Sequence, residues 1–294
     1  MADSIVQVIS YIQKVNFDIP WTTKRLESKS QMGVVVSGGK ILTSAYSIAF
    51  GKHFEMRLFE EASFYPLEVE FVDYNINLAL LKIAHDRPPA SLKPLDIGPN
   101  LQINSKVTLL TFLNRTQMQS YPLRLKSVSI LLAPYSRYRF AHYIFKTEEQ
   151  SLGWSEPILQ NSELVALAIG QSAGDLQAIP GYIIRRFIKD AKKYPYTGFI
   201  EPGFYYEPLE SPYLRHYLGA DRVKGGVYIG DVMQISPFYG KLHAGDILLK
   251  IGDKQISSLG EYHHPLWGAV PFCYLFQNYS GGDAVDLTIF RDEK

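Results

Sequence analysis

From Met32 to about residue 185 the chain is a succession of short apolar runs broken by turn residues, and few folds accept that rhythm. Met32 to Thr43 reads as two strand runs around Ser37-Gly38-Gly39, a hairpin signal. Further strands are predicted at 55–60 and 67–73. Leu78-Ala79-Leu80-Leu81-Lys82-Ile83 is a nearly unbroken apolar run, the pattern of a strand buried on both faces. Pro88-Pro89 and Pro94 mark an exposed connection between two β halves. Strand patterns resume at 106–113, 121–133, 139–146 and 157–170. Many short strands with few helices suggest a pair of closed β-barrels.

An amphipathic segment, Ile5, Val6, Val8, Ile9 and Ile12, precedes these strands and ends near Ile19-Pro20-Trp21. After them, apolar positions 183, 184, 187, 188 and 191 follow helical spacing. The basic residues of that stretch lie toward its C-terminal end, where the helix dipole favours them. Tyr194-Pro195 ends the helix and sets a predicted boundary between a domain over 1–194 and a second over 195–294. The second has its own turn signals, a cleanly alternating strand at Val285–Arg291 and a predicted helix near 270–279. The expected fold is mainly β, a double β-barrel followed by a smaller α+β module.

Composition narrows the function classes. Thirty Lys and Arg balance 29 Asp and Glu, which gives no electrostatic reason to expect nucleic acid or an anionic surface as the main partner. Hydrophobic residues make up 46%, enough for real cores in a 294-residue chain. The single cysteine, Cys273, excludes an internal disulfide and reads as a small buried apolar residue. No apolar run approaches the roughly 20 residues of a membrane-spanning helix, and Met1–Ser4 begin no signal-peptide pattern.

Three motifs carry a resemblance. Ile41-Leu42-Thr43-Ser44-Ala45-Tyr46-Ser47-Ile48 resembles I-L-T-N-A-H-V-V, and Phe71 to Ile83 resembles V-D-x-x-x-D-L-A-L-L-K-I. Leu152-Gly153-Trp154-Ser155-Glu156-Pro157 resembles a Gly-Asn-Ser-Gly-Gly-Pro turn. These are motifs of the Deg/HtrA family of chymotrypsin-like serine proteases, and the plant organellar branch is the most similar. The resemblance implies two chymotrypsin-like barrels with a His–Asp–Ser triad in the cleft. At the three triad positions this chain has Tyr46, Asn77 and Trp154. A tyrosine with a pKa of about 10 is protonated at pH 7 and accepts no serine proton. Asparagine brings no charge to steady an imidazolium, and tryptophan brings no nucleophile. Glu156 sets a carboxylate where an oxyanion would develop. The chain is therefore expected not to be an enzyme but a pseudoprotease that binds polypeptides or a partner protein. The alternative is a serine endopeptidase with residual or unconventional activity in protein quality control.

Other residues keep two readings. Ser155 is either a displaced nucleophile or, as the residue type favours, a turn serine bonded to backbone. Trp154 is either a plug of core filler in the cleft, which is preferred, or a binding anchor. The histidines, His53, His85, His142, His216, His243, His263 and His264, match no triad position. Adjacent His263 and His264 on a strand point to opposite faces, so no metal or other cofactor is expected.

Residues from about 196 resemble a PDZ domain of the same family, most clearly in Leu242-His243-Ala244-Gly245-Asp246-Ile247-Leu248. PDZ domains capture polypeptide C-termini or extended segments by β-augmentation. The carboxylate-binding loop would be Glu201-Pro202-Gly203-Phe204, in which Pro202 lacks an N–H and Glu201 opposes an incoming carboxylate. Tyr206, Phe272, Leu275 and Phe276, with Phe204, are the expected groove walls, or equally the small domain's core. The resemblance further implies a homo-oligomer, a trimer through residues 1–25, or assembly with active relatives, and favours a periplasmic or other extracytoplasmic compartment.

Overall fold

The computed structural model describes residues 2–84, 88–114, 116–132, 134, 135 and 139–291, so His85 and the end of the predicted strand at Ala133 lie outside the described residues. The chain divides into two compact units, Met1–Tyr196 and Thr197–Lys294.

The first unit holds two closed barrels. Strands β1 (Ile5–Ile12), β2 (Glu27–Val36), β3 (Lys40–Thr43), β4 (Gly51–Leu58), β5 (Tyr65–Asp73) and β6 (Leu78–Ile83) close in the order β1-β2-β3-β6-β5-β4. The amphipathic N-terminal segment is thus the first barrel strand. Its residues alternate between the core and a half-buried face, as period-2 patterning requires. Val34, Val35 and Val36 pair with Leu42, Ile41 and Lys40, and Gly38 and Gly39 supply the positive φ of the turn between them. Val6, Val8, Val35, Ile41, Met56, Ala79 and Leu81 fill the barrel.

Strands β7 (Lys106–Asn114), β8 (Gln117–Leu132), β9 (Arg139–Lys146), β10 (Pro157–Gln160), β11 (Glu163–Ser172) and β12 (Asp175–Pro180) close the second barrel in the order β10-β11-β12-β9-β8-β7. The single strand expected over 157–170 is two strands. Asn161 and Ser162 both adopt positive φ and form a two-residue turn, so the chain reverses there. Helix α1 (Ala45–Ile48) follows β3, and α2 (Gly181–Asp190) closes the unit with Ile183, Ile184 and Phe187 buried. Tyr196 Oη donates to Asp73 Oδ2 at 2.5 Å and its ring packs edge-on against Phe71, which pins the end of the unit. Burial, reinforced by that carboxylate, raises the Tyr196 phenol far above its usual range.

The second unit is a sheet of β13 (Phe204–Pro208), β14 (Val227–Val232), β15 (Ile247–Ile251) and β16 (Lys254–Gln255) in that order. After a separate hairpin, β17 (Glu261–His264) with β18 (Gly268–Pro271), strand β19 (Leu287–Phe290) joins β15. Helix α3 (Pro212–Tyr217) was not expected; Ser211 Oγ caps it and Pro212 opens it. The helix expected near 270–279 is a 3₁₀ segment, Phe272–Asn278. Buried Asp246 forms a bidentate ion pair with Arg291 and accepts the His243 N–H, so the Gly-Asp turn is held to the last strand region. Among the described residues no helix is long and apolar enough to cross a membrane.

Candidate active site

The three motif positions converge on one cleft of the first unit. Tyr46 sits on α1 directly after β3, and its backbone N–H donates to Asn77 Oδ1 at 2.7 Å. Asn77 is buried with positive φ, and its carbonyl accepts the Ala45 N–H. Asn77 therefore holds the backbone that carries Tyr46, while its buried Nδ2 has no hydrogen-bond partner. Such an orphaned donor costs about 1–3 kcal/mol and marks a place where an acceptor would be welcome.

The turn before β10 completes the cleft. Gly153 adopts φ 104°, and a Cβ there would lie 2.7 Å from Gly170 Cα, so the position admits only glycine. Trp154 O accepts the Met32 N–H at 2.8 Å, which links this turn to the first barrel. The Trp154 side chain is 46% exposed, which corrects its reading as core filler.

Ser155 itself is fully buried. Its Oγ accepts the Ser44 N–H at 3.1 Å and lies 3.0 Å from Ser44 Oγ, which in turn lies 2.6 Å from Ser47 Oγ. The hydroxyl chain joins the two barrels. Glu156, buried, folds its carboxylate back onto the turn, where Oε2 accepts the N–H of Gly153 at 3.0 Å and of Trp154 at 2.7 Å. Burial pushes its pKa up to about 6, against the stabilising pull of those backbone donors. Two N–H groups of the kind that stabilise an oxyanion thus face an internal carboxyl that titrates near neutrality.

Aromatic side chains border the same cleft. Tyr46 stacks on Tyr135 at 5.3 Å, Phe50 meets Tyr135 edge-on, and Lys29 Nζ lies over the Tyr46 ring. A depression of about 330 Å³ is lined by Lys29, Gln31, Met32, Phe112, Trp154 and Glu156, among others. Ser44, Ser47, Lys29, Phe50 and Tyr135 were not foreseen as site residues. Ser44 and Ser47 lie inside the Tyr46 motif, but nothing in a linear reading pairs them with Ser155, 111 residues from Ser44. His142 is buried in the second barrel against Phe140, and burial lowers its pKa to about 4, so it stays neutral.

In the second unit the expected groove residues separate into two places. Phe204, Phe272, Leu275 and Phe276 are buried and Tyr206 partly so. Their rings close on one another, with Tyr206–Phe272 centroids at 4.6 Å and Phe204–Phe276 at 5.9 Å. Cys273 is only half-buried, and its Sγ donates to Tyr206 Oη at 3.4 Å, so its expected role as a buried apolar filler is corrected. Pro202 O accepts from Ser236 Oγ, and Gly203, at φ 63°, accepts the Met233 N–H. Glu201 instead lines a cavity of about 590 Å³ with Ile200, Phe238, Leu242, Leu287 and Ile289 among its walls.

No family model matches the chain. It is 23% identical over 99% of its length to "Protease Do-like 4, mitochondrial" of Arabidopsis thaliana, of which it covers 57%. To "Protease Do-like 2, chloroplastic" of the same plant it is 19% identical over 98% of its length, covering 49%. The chain thus spans about half the length of the curated relatives it matches. Among solved structures, "HtrA-type protease AlgW with tripeptide" superposes with a TM-score of 0.72 at 16% identity, covering 100% of this chain and 91% of that one. "HtrA-type protease AlgW with decapeptide" gives 0.70 at 13%, covering 100% and 93%. These matches share the double-barrel fold.

The expectation that the chain is not an enzyme is corrected by these comparisons. The proteins it matches along nearly its full length are named proteases, and its structural neighbours are HtrA proteases. The physical reason is that the expectation weighed three side chains at motif positions, whereas a site is judged by all the groups it assembles. Here the Ser155 hydroxyl is bonded to Ser44, and the Glu156 carboxyl, raised to about 6 by burial, accepts from the Gly153 and Trp154 N–H groups.

Proposed function

From the premise that the chain belongs with the Deg/HtrA proteases over nearly its whole length, we propose that it is a polypeptide-directed serine endopeptidase of unconventional construction, acting in protein quality control. The observation that carries this reading is the near full-length match to named proteases. The site residues supply a route without histidine. Once the turn opens, Ser155 Oγ attacks the scissile carbonyl and the neighbouring Glu156 carboxylate takes its proton. The Gly153 and Trp154 N–H groups, released by Glu156, turn to the developing oxyanion. Glu156 returns the proton to the leaving amine, and water then hydrolyses the acyl-serine. The conformation described above is the closed form of this turn, since Ser155 is buried against Ser44 and must come out to react.

Polypeptide reaches the site along the aromatic border of Tyr46, Phe50, Tyr135 and Trp154. The second unit, read as a PDZ domain, takes a polypeptide C-terminus or unfolded segment at β13, which among the described residues pairs only with β14. The AlgW structures, which hold a decapeptide and a tripeptide, support that role. Assembly as a homo-oligomer or with relatives belongs to the same reading. The test is release of fluorescent fragments from labelled unfolded casein by the full chain. Slow release, abolished in Ser155→Ala and restored by the wild-type sequence, is expected. Release that survives Ser155→Ala, or none between pH 5 and 9, overturns the assignment.

A further inference from the structure

The connection from β1 to β2 is a built hairpin tip that buries none of its large apolar side chains. Phe17 is 82% exposed and Trp21 86%, and Val15, Ile19 and Leu26 are exposed beside them. The backbone beneath is pinned. Asn16 Oδ1 accepts the N–H groups of Asp18 and Ile19, and Asn16 Nδ2 donates to Thr22 Oγ1. The Thr22 hydroxyl donates to Ile19 O, the Thr22 N–H donates to the same carbonyl, and Val15 bridges to Thr23. At the base, the Lys24 N–H donates to Lys14 O, which sets two lysines side by side, with Arg25 next along the chain. No ion pair engages Lys14, Lys24 or Arg25 among the described residues, and Asp18 and Glu27 are the acids of this stretch.

We propose that this hairpin is a membrane-interface arm that inserts Phe17 and Trp21 into the headgroup region of an anionic bilayer, with Lys14, Lys24 and Arg25 held over the lipid phosphates. Exposed aromatics beyond a basic hairpin base that, among the described residues, makes no ion pair is the distribution an interfacial anchor requires. Indole suits that depth, having an apolar body and one N–H that stays wet. The internal hydrogen bonds of the tip matter as much, because partnering the Asp18, Ile19, Thr22 and Lys24 amides lowers the cost of entering a water-poor layer. A second copy of the chain fits less well. Two aromatics present roughly 300–500 Å² between them, below the roughly 800 Å² per partner of a stable interface. Like copies would also bring unpaired cations together, whereas anionic lipid supplies their counter-charge.

The test is cosedimentation of the full chain with sucrose-loaded vesicles of 70% phosphatidylcholine and 30% phosphatidylserine, against pure phosphatidylcholine. Binding to the anionic vesicles is expected, weakened by added salt. It should fall at least about tenfold in Phe17→Ser/Trp21→Ser. In Lys14→Ala/Lys24→Ala/Arg25→Ala it should fall further, at about fivefold per charge. Quenching of Trp21 emission by brominated lipid, judged against Trp21→Phe, reads the insertion directly. These positions are exposed, so unchanged circular dichroism confirms that the variants fold. Absence of vesicle binding, or binding indifferent to both variants, overturns the proposal. So does sedimentation equilibrium in which Phe17→Ser/Trp21→Ser dissociates an oligomer while vesicle binding is unaltered, since the tip would then be a contact between copies.

Discussion

Replacing Glu156 by glutamine removes a buried carboxyl while keeping an oxygen that accepts from Gly153 and Trp154. The magnitude follows from the environment. Burial raises the Glu156 pKa from 4.5 to about 6, so the folded chain binds this proton more tightly than the unfolded one. Its contribution is then fully present below pH 4.5 and lost as pH rises through 6. With about 1.4 kcal/mol per pKa unit, the loss is about 2 kcal/mol. His142 slopes the other way. Its pKa falls from 6.5 to about 4 on folding, so its contribution is present above 6.5 and lost on acidification. The raw stability profile mixes the two, and the difference between Glu156→Gln and wild type isolates the first. The assay is urea unfolding of the first unit followed through Trp154 emission, with Trp21 and Trp267 replaced by Phe, from pH 4 to 8. The stability of Glu156→Gln relative to wild type should rise by about 2 kcal/mol between pH 4 and 7. A difference that is flat with pH, or that falls, would refute the buried, raised carboxyl.

Other outcomes follow from the same geometry. Gly153→Ala forces a Cβ onto the Gly170 backbone at φ 104° and should destabilise the first unit by about 3 kcal/mol, seen in its urea midpoint. Asp246→Ala leaves Arg291 and the His243 N–H without their acceptor and should cost the second unit about 3 kcal/mol, read from the exchange of β15 amides. Tyr46→His/Asn77→Asp/Trp154→Ser supplies base, orienting carboxylate and exposed hydroxyl on a backbone that already joins positions 46 and 77. Casein cleavage should rise at least about 100-fold over wild type, and no rise would mean the cleft is shaped for another use.

The barrels were legible because strand period and turn chemistry are local. Ser37-Gly38-Gly39 and the alternation of Ile5–Ile12 declare themselves within ten residues. The reversal at Asn161-Ser162 was missed because a continuing strand and a two-residue hairpin differ there only in the sign of φ. Tyr46 and Asn77 were legible as site neighbours through their motifs, and the structure joins them by one hydrogen bond. What they sit upon was not legible. The Ser44–Ser155 contact spans the two barrels, and the inward fold of Glu156 depends on which way a single turn points its carboxylate. The burial that raises that carboxyl comes from chain closing over it, which no local pattern records. For the second unit, the packing of Phe204, Tyr206, Phe272 and Phe276 against one another depends on β13 and the 3₁₀ segment meeting in space, which no local pattern records.

The central claim is that Ser155 is a nucleophile activated by Glu156, and an active-site phosphonylating reagent tests it most directly. The full chain is incubated with a fluorophosphonate at pH 7.5 and digested, and the peptide containing Leu152 to Leu159 is weighed by mass spectrometry. The account predicts slow phosphonylation at Ser155 that is lost in Glu156→Gln and declines at acid pH as the Glu156 carboxylate protonates. An unmodified Ser155 under conditions where the chain hydrolyses casein, or labelling that Glu156→Gln leaves unchanged, would contradict it.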